Sequence, residues 1–396
     1  MAIEPRIIPS LSAVAPEDWA RLEHRDNPFV SYAFLAGLES TGSIGPHAGW
    51  SPHHLALYAN DRLVAFAPTY AKNNSHGEFV FDWAWADAYQ RNGYAYYPKL
   101  LTGVPYSPVT GPRLMVARDD PDPKALRRAL VDLAMRECND HGFSSWHCNF
   151  VEREDLDILA ERGLLQRHDW QFHWRNRGYG AFDDFLADLR SRKRKNIRRE
   201  RAQLQRSGVT VRWRSGRELD ADDLDFVYAC YIDTFQQYGN YPALRPAFFA
   251  LLARELADGL QVAFAERNGQ RIAMAVFLAG GGRLYGRYWG CIEDLPGLHF
   301  EVAYYQGIEF CIRHGIDVFE SGAQGEHKIG RGFLPSATRS CHFVAHDGAQ
   351  KNRPSRQFPA QRRRRARPAF EITLHCHSTG CNPQAERELF RRGSDA

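Results

Sequence analysis

A short run late in the chain brings together side chains that can bind anions and move protons. It reads Gln324-Gly325-Glu326-His327-Lys328 and continues to Arg331-Gly332-Phe333. Glycine lets a backbone approach a ligand closely, and the two cations could hold a carboxylate or a phosphate. An ordinary polar loop is the alternative interpretation. We predict a catalytic role for Lys328, and substrate or anion binding by Gln324, Glu326, His327 and Arg331.

Two further candidates stand where a helix of the second half begins. Glu301 and His299 lie in Leu298-His299-Phe300-Glu301, directly after the loop 292–297. A carboxylate there could stabilise the positive end of the helix dipole, or it could exchange a proton with a reacting amine. The same alternatives apply to the histidine. We include both residues in the predicted catalytic set.

Aromatic residues are concentrated between Phe79 and Tyr106, which is typical of a lined pocket as well as of a core. The pattern over 78–85 predicts a strand, so Trp83 and Trp85 would share one face and Asp82 would lie on the other. The paired indoles are either core or a stacking wall for a substrate. We predict that Asp82, Trp83 and Trp85 contact substrate.

A strongly basic segment joins the two halves of the chain. Apolar residues between Phe182 and Gln205 are spaced for one narrow buried face, on one helix or on two short ones. Eight cations between Arg190 and Arg201 have only one nearby acid, Glu200. The segment is either a solvated face or a site for phosphates of coenzyme A, a nucleotide-linked substrate or tRNA. The predicted anion-binding residues are Lys193, Arg194 and Arg198.

Regular elements must position these candidates, and the sequence shows one plan twice. Residues 55–58 and 63–70 predict two strands joined by a tight turn at Asn60-Asp61. Residues 261–266 and 271–279 repeat that hairpin around Asn268-Gly269. A third strand is predicted after each hairpin, over 78–85 and 283–289. The first copy would then hold extra residues, 87–122, between its third strand and its helix.

An amphipathic helix follows in each half and ends at a His-Gly pair. The helix over 123–140 ends at His141-Gly142 and that over 300–313 ends at His314-Gly315, where glycine suits a left-handed cap. Another strand follows each pair, over 144–150 and 317–321. We predict an α+β fold of two duplicated units, each a mostly antiparallel sheet flanked by helices, with a ligand site between them.

Composition limits the class of protein. The chain has 396 residues, is 44% hydrophobic and has a formal charge of +4. Its start does not resemble a signal peptide and no apolar run is long enough to span a membrane, so we predict a cytoplasmic protein without stable membrane insertion. The eight cysteines form no CxxC pair and are predicted to be buried thiols. His375-Cys376-His377 with Cys381 matches no standard zinc spacing, so no metal is predicted.

The predicted boundaries are 1–165 for the first unit, 166–348 for the second with its basic junction helix, and 349–396 for a tail. Residues 351–396 hold eleven Lys and Arg against four Asp and Glu, including four consecutive arginines at 362–365. Such composition predicts an atypical, basic and disordered tail, which is either genuine or the product of a slipped reading frame. We assign no catalytic role to it.

Several segments carry a resemblance to a known family. The junction from Phe182 to Gly208 is similar to that of FemAB-like proteins, tandem-domain members of the GNAT acyltransferase superfamily. The chain resembles still more closely a bacterial family of predicted N-acyltransferases with peptidoglycan biosynthesis labels. The segments that carry this resemblance are Asn27–Leu35, Phe81–Asp87, Tyr97–Leu101, Pro108–Arg113 and Glu320–Lys328. The similarity covers about Glu17 to Gly348, and the tail departs from it.

The resemblance implies tandem GNAT-like domains and transfer of an acyl or aminoacyl group to an amine. The donor would be an acyl-CoA or an aminoacyl-tRNA, because the usual coenzyme A signature is absent in clean form. The acceptor would be a small-molecule or nucleotide-linked amine, related to cell-wall precursors or amino acids. Tyr238, in Tyr231–Tyr241, resembles the acceptor-side loop of related enzymes. The alternative is a non-catalytic protein that binds RNA or an anionic membrane through the basic junction helix.

Overall fold

The computed structural model describes residues 3–322 and 326–345. The first half contains β1 (Glu4–Ile8), α1 (Pro16–Ala20), α2 (Tyr32–Ser40), β2 (Trp50–Pro52), β3 (His54–Ala59), β4 (Arg62–Ala67), β5 (Thr69–Lys72), α3 (Trp83–Arg91), β6 (Lys99–Thr102), β7 (Met115–Val116), α4 (Pro123–His141), β8 (Ser145–Cys148), α5 (Arg153–Glu161) and β9 (Leu165–Arg175). Short 3-10 helices lie at Leu11–Ala13, Pro28–Val30 and Pro46–Ala48.

The second half begins with the basic segment and ends in a long strand. It contains α6 (Phe182–Asp188), α7 (Ser191–Arg206), β10 (Val209–Ser215), α8 (Ala221–Gln237), α9 (Pro246–Glu255), β11 (Leu260–Arg267), β12 (Gln270–Gly280), β13 (Arg283–Cys291), α10 (Leu298–Phe300), a π-helical turn (Glu301–Tyr305), α11 (Gln306–His314), β14 (Val318–Glu320) and β15 (Leu334–Val344). Two 3-10 helices lie at Gly216–Glu218 and Glu326–Arg331. The basic segment therefore forms two helices, one of the two arrangements predicted.

The strands form two sheets with helices packed against them. One sheet has the order β1-β3-β4-β7, and a larger one has the order β10-β11-β12-β13-β14-β9-β15-β8-β6-β5-β2. Neighbours are mostly antiparallel, with parallel pairs β13–β14 and β6–β8. The predicted α+β class with mostly antiparallel sheets is confirmed. Among the described residues, no helix is both long enough and apolar enough to cross a membrane.

Both predicted hairpins are present, and their turns explain their register. Asn60, Asp61, Asn268 and Gly269 all have positive φ, as a two-residue turn between right-twisted strands requires. Strands β11 and β12 pair from Leu260↔Leu278 to the turn. The first-half strand predicted over 63–70 is interrupted at Pro68, which cannot donate a ladder hydrogen bond. It therefore becomes β4 in the smaller sheet and β5 in the larger one.

The strand predicted over 78–85 is wrong. Residues 73–82 form no strand, and Trp83 begins α3, whose first position follows Asp82. The run Trp-Ala-Trp-Ala-Asp-Ala has no β-branched residue, and its alanines favour a helix over the period-2 interpretation. The first-half strand that pairs in parallel is β6, so much of the extra sequence precedes that strand instead of following it.

Strands are exchanged between the two halves. β15, the last strand, pairs with β8 of the first half, and β9 pairs with β14 of the second half. β9 and β15 also pair with each other from Leu334↔His173 to His342↔Leu165. β15 thus lies between β8 and β9, and one continuous sheet runs through both halves. The boundary at 165/166 falls at the start of β9 and stays a prediction.

An apolar core crosses between the halves as well. The ring of Phe29 lies edge-on to Tyr285 at 5.0 Å, and Phe34 lies edge-on to Phe248 at 5.3 Å. All four side chains are buried. Because aromatic pairs of this size contribute strongly to cores, the two halves are held as one packed body.

Candidate functional site

The two parallel strands of the second half diverge, and a cleft opens where they part. β13 and β14 pair only from Arg283↔Val318 to Tyr285↔Glu320. β13 then continues to Cys291, whereas the chain leaves β14 after Glu320 and turns at Gly322, which has φ 95°. The edge of β13 beyond Tyr285 is therefore not paired with β14.

The cleft has a cavity volume of about 100 Å³ and lies between the halves. Phe79 and Pro108 of the first half form one side of it. The second-half lining is Tyr231, Thr234, Phe235, Gln237, Tyr238, Asn240, Ala275, Val276, Phe277, Gly286, Arg287, Tyr288, Trp289, Cys291, Ala303, Tyr304, Ser321, Gly322 and Lys328. A mostly apolar concavity with few polar groups is the usual form of a ligand site.

A β-bulge shapes the wall of the cleft. Opposite β12, Gly286 pairs with Phe277 and Tyr288 pairs with Val276, so Arg287 is the additional residue. Its Nη2 donates to the backbone oxygen of Tyr106 at 2.7 Å, a contact between the halves. Bulges redirect side chains next to functional sites. The sequence analysis missed Arg287, although a charge between two strand glycines, Gly286 and Gly290, could have signalled it.

Lys328 is the predicted catalytic residue that the structure places in the cleft. Its side chain is fully buried, and its Nζ donates to the backbone oxygens of Ser321 at 3.0 Å and Gly322 at 2.9 Å. Burial lowers the pKa of this amine to about 7. An ammonium has three donors and two are occupied, so one position at Nζ remains for a reacting group.

Buried polar atoms in the cleft lack partners among the described residues. They are Ser321 Oγ, Asn240 Oδ1 and the Nε of Arg287. Buried polar groups are nearly always hydrogen-bonded in folded proteins. These three atoms are therefore available to polar groups of a ligand, and sequence patterns gave no sign of Ser321 or Asn240. Tyr238, which was predicted, also lines the cleft and is 39% exposed.

Arg331 fixes the short helix that carries Lys328. Its guanidinium stacks on the Phe300 ring at 3.3 Å, and its Nη2 lies 3.4 Å from Glu200 of α7. Glu200 also accepts a hydrogen bond from the hydroxyl of Tyr305 at 2.5 Å. Arg331 is therefore held by structural contacts outside the cleft lining, and its role in anion binding stays a prediction.

Several cations of α7 are used inside the protein. Arg194 donates to backbone oxygens of α6 and its end, including that of Ala187 at 3.2 Å, and Arg198 pairs with Asp183 at 2.8 Å. The structure thus places these two residues in contact with α6, and their anion-binding roles stay predictions. Lys193 lies against Gly330. Arg192, Lys195 and Arg199 are exposed on one face and form no ion pair with described residues.

Glu301 is not at the cleft. It accepts hydrogen bonds from Arg201 Nη2 at 2.9 Å and from Gln306 Nε2 at 2.9 Å. Arg201 also pairs with Glu309 at 2.9 Å, so the carboxylate belongs to a half-buried ion cluster under α7. Glu301 therefore connects α7 to the π-helical turn, and its acid/base role stays a prediction. His299 packs against Trp289 at 5.1 Å and stands behind the cleft wall.

The predicted indole wall is not formed. On α3 the side chains of Trp83 and Trp85 point in different directions, because residues two positions apart in a helix are about 200° apart around its axis. Trp83 is 41% exposed, and Trp85 packs on His147 at 5.5 Å. Asp82 is buried, contacts Lys99 Nζ and accepts a hydrogen bond from Tyr96 at 2.5 Å. None of the three predicted residues lines the cleft.

Some predicted features lie partly or wholly outside the described residues. Gln324 is not described, and Glu326 and His327 belong to the 3-10 helix whose backbone alone is described there. The predicted basic tail, 349–396, also lies outside. Within 3–322 and 326–345, no group of three or more His, Cys, Asp or Glu side chains could hold a metal.

A buried arginine lies beyond the parallel strands of the first half. Where β6 and β8 end, Arg113 is fully buried and fills the corresponding place. Its guanidinium donates to the backbone oxygens of Asn149 at 2.8 Å, Val109 at 2.5 Å and Pro112 at 3.2 Å. The two halves share a plan, and the cleft described above lies at the parallel strand pair of the second half.

Comparison with solved structures shows the fold. FemX is 11% identical, with a TM-score of 0.51, and the match covers 86% of this chain and 97% of that one. A conserved protein of unknown function from Bacteroides thetaiotaomicron is 12% identical, with a TM-score of 0.51, over 87% of this chain and 100% of that one. At such low identity these likenesses concern architecture only. No curated protein sequence matches the chain.

A family model describes most of the sequence. The FemAB-like model, described as peptidoglycan biosynthesis/recognition, matches residues 10–371. The match includes the junction helices and the Lys328 run, and it extends past the limit at Gly348 inferred from the resemblance. Since it covers far more than half of the sequence, the chain belongs to the FemAB-like family of peptidoglycan biosynthesis/recognition proteins.

Proposed function

We propose that this protein transfers an acyl or aminoacyl group from an activated donor to an amine of a cell-wall precursor or a related small molecule. The observation that carries the proposal is the position of Lys328. A buried amine with one open hydrogen-bonding position lies where β13 and β14 diverge, in a cleft walled by both halves. The family match supports an acceptor related to peptidoglycan.

Lys328 supplies the proton transfer that the reaction requires. An attacking ammonium must lose a proton before its nitrogen can bond to the acyl carbon. With a pKa of about 7, the Lys328 amine is partly unprotonated at neutral pH and can accept that proton. The backbone oxygens of Ser321 and Gly322 orient Nζ and stabilise the ammonium that results.

The unpaired edge of β13 supplies the second requirement. In an extended strand alternate backbone N–H groups point to either side, and the side away from β12 faces the cleft beyond Tyr285. A donor acyl oxygen at that edge would receive hydrogen bonds as negative charge develops on it. The bond from the acyl carbon to the donor sulfur or oxygen then breaks, the leaving atom takes up the second proton of the attacking nitrogen, and the products are the amide and the free thiol or alcohol of the carrier.

The exposed cations of α7 favour a donor with phosphates. Arg192, Lys195 and Arg199 have no ion-pair partner among the described residues, and α7 contacts the helix that carries Lys328. An acyl-CoA and an aminoacyl-tRNA both place a reactive acyl group at the end of a phosphate-bearing carrier. Both donor classes belong to the proposal, and the experiment below separates them.

The test measures binding first and turnover second. We would record thermal unfolding with acyl-CoAs of several chain lengths and with aminoacylated tRNA, since a ligand of the folded state raises the midpoint. The donor that raises it would be incubated with amine acceptors, including peptidoglycan precursors, and acylated product detected by mass spectrometry. Lys328→Met should abolish product, and Lys124→Met, an exposed lysine, should not. Equal turnover by both variants would refute the role of Lys328.

A further inference from the structure

The segment from Glu78 to Asp82 connects two sites that the chain otherwise keeps apart. Phe79 lines the transfer cleft, while its neighbours Glu78 and Asp82 are buried in a polar cluster of the first half. That cluster is centred on Lys99, the first residue of β6, and it contributes nothing to the cleft lining itself. One segment of five residues therefore contributes to both the cleft and the polar cluster.

Phe79 has a backbone conformation that requires support. Its φ is 59°, in the left-handed region that side chains with a Cβ rarely adopt. For a residue other than glycine this conformation is unfavourable and persists where the surroundings fix it. Phe79 is only partly buried, so contacts of the ring are not the whole of that support. The flanking residues must provide the rest.

Lys99 provides it from both ends of the segment. Its side chain is fully buried, and Nζ lies 2.7 Å from Glu78 Oε2 and also contacts Asp82 Oδ2. Asp82 is further held by Tyr96, and the backbone oxygen of Phe81 accepts from Arg167 at 2.5 Å. A single ammonium thus connects the residue before Phe79 with the residue three positions after it.

We propose that Lys99 is a positioning residue for the transfer cleft, acting through Glu78 and Asp82 to hold Phe79 in its wall. The consequence of this arrangement for catalysis rests on the proposed function. Because Phe79 and Pro108 are the first-half residues of the lining, Lys99 sets the width of the cleft on its first-half side. If the Lys99 cluster did not act on Phe79, replacing Lys99 would leave the width of the cleft unchanged.

Cys291 provides a readout that needs no substrate. It lines the cleft and is the one cysteine among the described residues that is not buried. Every protein in the test would carry Cys376→Ser and Cys381→Ser, so that the labelling rate with a thiol reagent under native conditions reports the cleft. Rates would be compared for the parent, Lys99→Met, Phe79→Ala and the double variant.

Lys99→Met should increase the labelling rate of Cys291 by about tenfold or more, because it leaves the buried Asp82 without its cation and Glu78 with only Lys72, whose Nζ lies 3.8 Å away. Phe79→Ala should also increase it. In the Phe79→Ala background the lysine substitution should add less than about twofold, since two residues on one path are not additive. Equal acceleration in both backgrounds, or none in a folded variant, would overturn the proposal.

Asp82→Asn covers the case in which Lys99→Met does not fold. It keeps the shape of the side chain and leaves Lys99 paired with Glu78, so a smaller acceleration is expected, again dependent on Phe79. An acceleration independent of Phe79 would count against the proposal. Since labelling requires no acyl transfer, the absence of transferase activity would leave this result intact and would bear on the proposed function alone.

Discussion

Arg331 donates a hydrogen bond from Nε to the hydroxyl of Tyr305 at 3.0 Å. This contact joins the 3-10 helix that carries Lys328 to the π-helical turn, and it stands beside the Glu200 carboxylate of α7. The buried phenol, whose pKa is raised mainly by burial, remains a neutral donor to that carboxylate. Three elements of the second half therefore meet behind the proposed base.

Arg331→Met should lower transfer without unfolding the protein. The substitution removes the contacts that fix the 3-10 helix, and a small displacement of Lys328 is costly because reacting groups must be aligned closely. We expect a loss of turnover of about tenfold to a hundredfold. Arg313→Met, at an exposed arginine of α11, is the matched control in the same assay. Full activity of the Arg331 variant would show that the helix holds Lys328 without it.

Transfer should depend on pH through Lys328. The base must be unprotonated, so the rate should rise as pH increases through about 7 and be lost below it. Lys328→Arg keeps a cation that cannot act as a base, and it should lower turnover by about a hundredfold to ten-thousandfold. The measurement is the pH profile of the rate at saturating donor. A profile that is flat from pH 6 to 8 would contradict the assignment.

Acid should destabilise the protein through its buried histidines. His147 and His342 share a hydrogen bond between their Nδ1 atoms at 2.8 Å, and both are buried. Burial, with a smaller contribution from Arg167, lowers the pKa of His342 to about 4 in the folded state. The unfolded chain binds the proton first, so stability is lost as pH falls from about 6.5 to 4, by at most about 3 kcal/mol for His342.

Denaturant unfolding at several pH values tests this expectation. His342→Gln retains a partner for His147 and should flatten the dependence of unfolding free energy on pH between 6.5 and 4. His168→Gln, at an exposed histidine, should leave the slope unchanged. An equal slope in all three proteins would show that other groups determine the sensitivity to acid.

The cations of α7 should separate into binding and structural classes. Replacing Arg192, Lys195 and Arg199 by alanine should weaken a phosphate-bearing donor in a salt-dependent way, and the unfolding midpoint should not fall. Arg201→Met should instead destabilise the fold by about 3–5 kcal/mol, because it leaves Glu301 and Glu309 without their partner. Donor titration and thermal unfolding of both variants give the comparison. An unchanged affinity in the triple variant would remove α7 from the donor site.

Local sequence signals predicted most of the fold. Turn residues such as Asn60-Asp61 and capping glycines such as Gly142 and Gly315 act within a few positions, so both hairpins and both helix ends could be placed. The exchange of β9 and β15 could not be predicted, because strand partners far apart in sequence leave no local pattern. The π-helical turn at Glu301–Tyr305 was likewise without a signal.

The site was predicted less completely, for a similar reason. Lys328 and Tyr238 could be selected because their residue types suit a ligand site, and both line the cleft. Glu301 also has a residue type that suits a ligand site, but its carboxylate pairs with Arg201, which lies 100 positions away in the sequence. Ser321 and Asn240 matter through the absence of partners, a property of packing that a sequence does not display.

The exchanged strands also impose an order of events on synthesis. The first half needs β15 beside β8, and β15 is among the last described residues to be made. Until Leu334–Val344 has left the ribosome, β8 keeps an open edge that could pair with other chains. A chain truncated before residue 334 would therefore lack the strand that joins the two parts of the larger sheet. Such fragments should depend on chaperones to avoid aggregation.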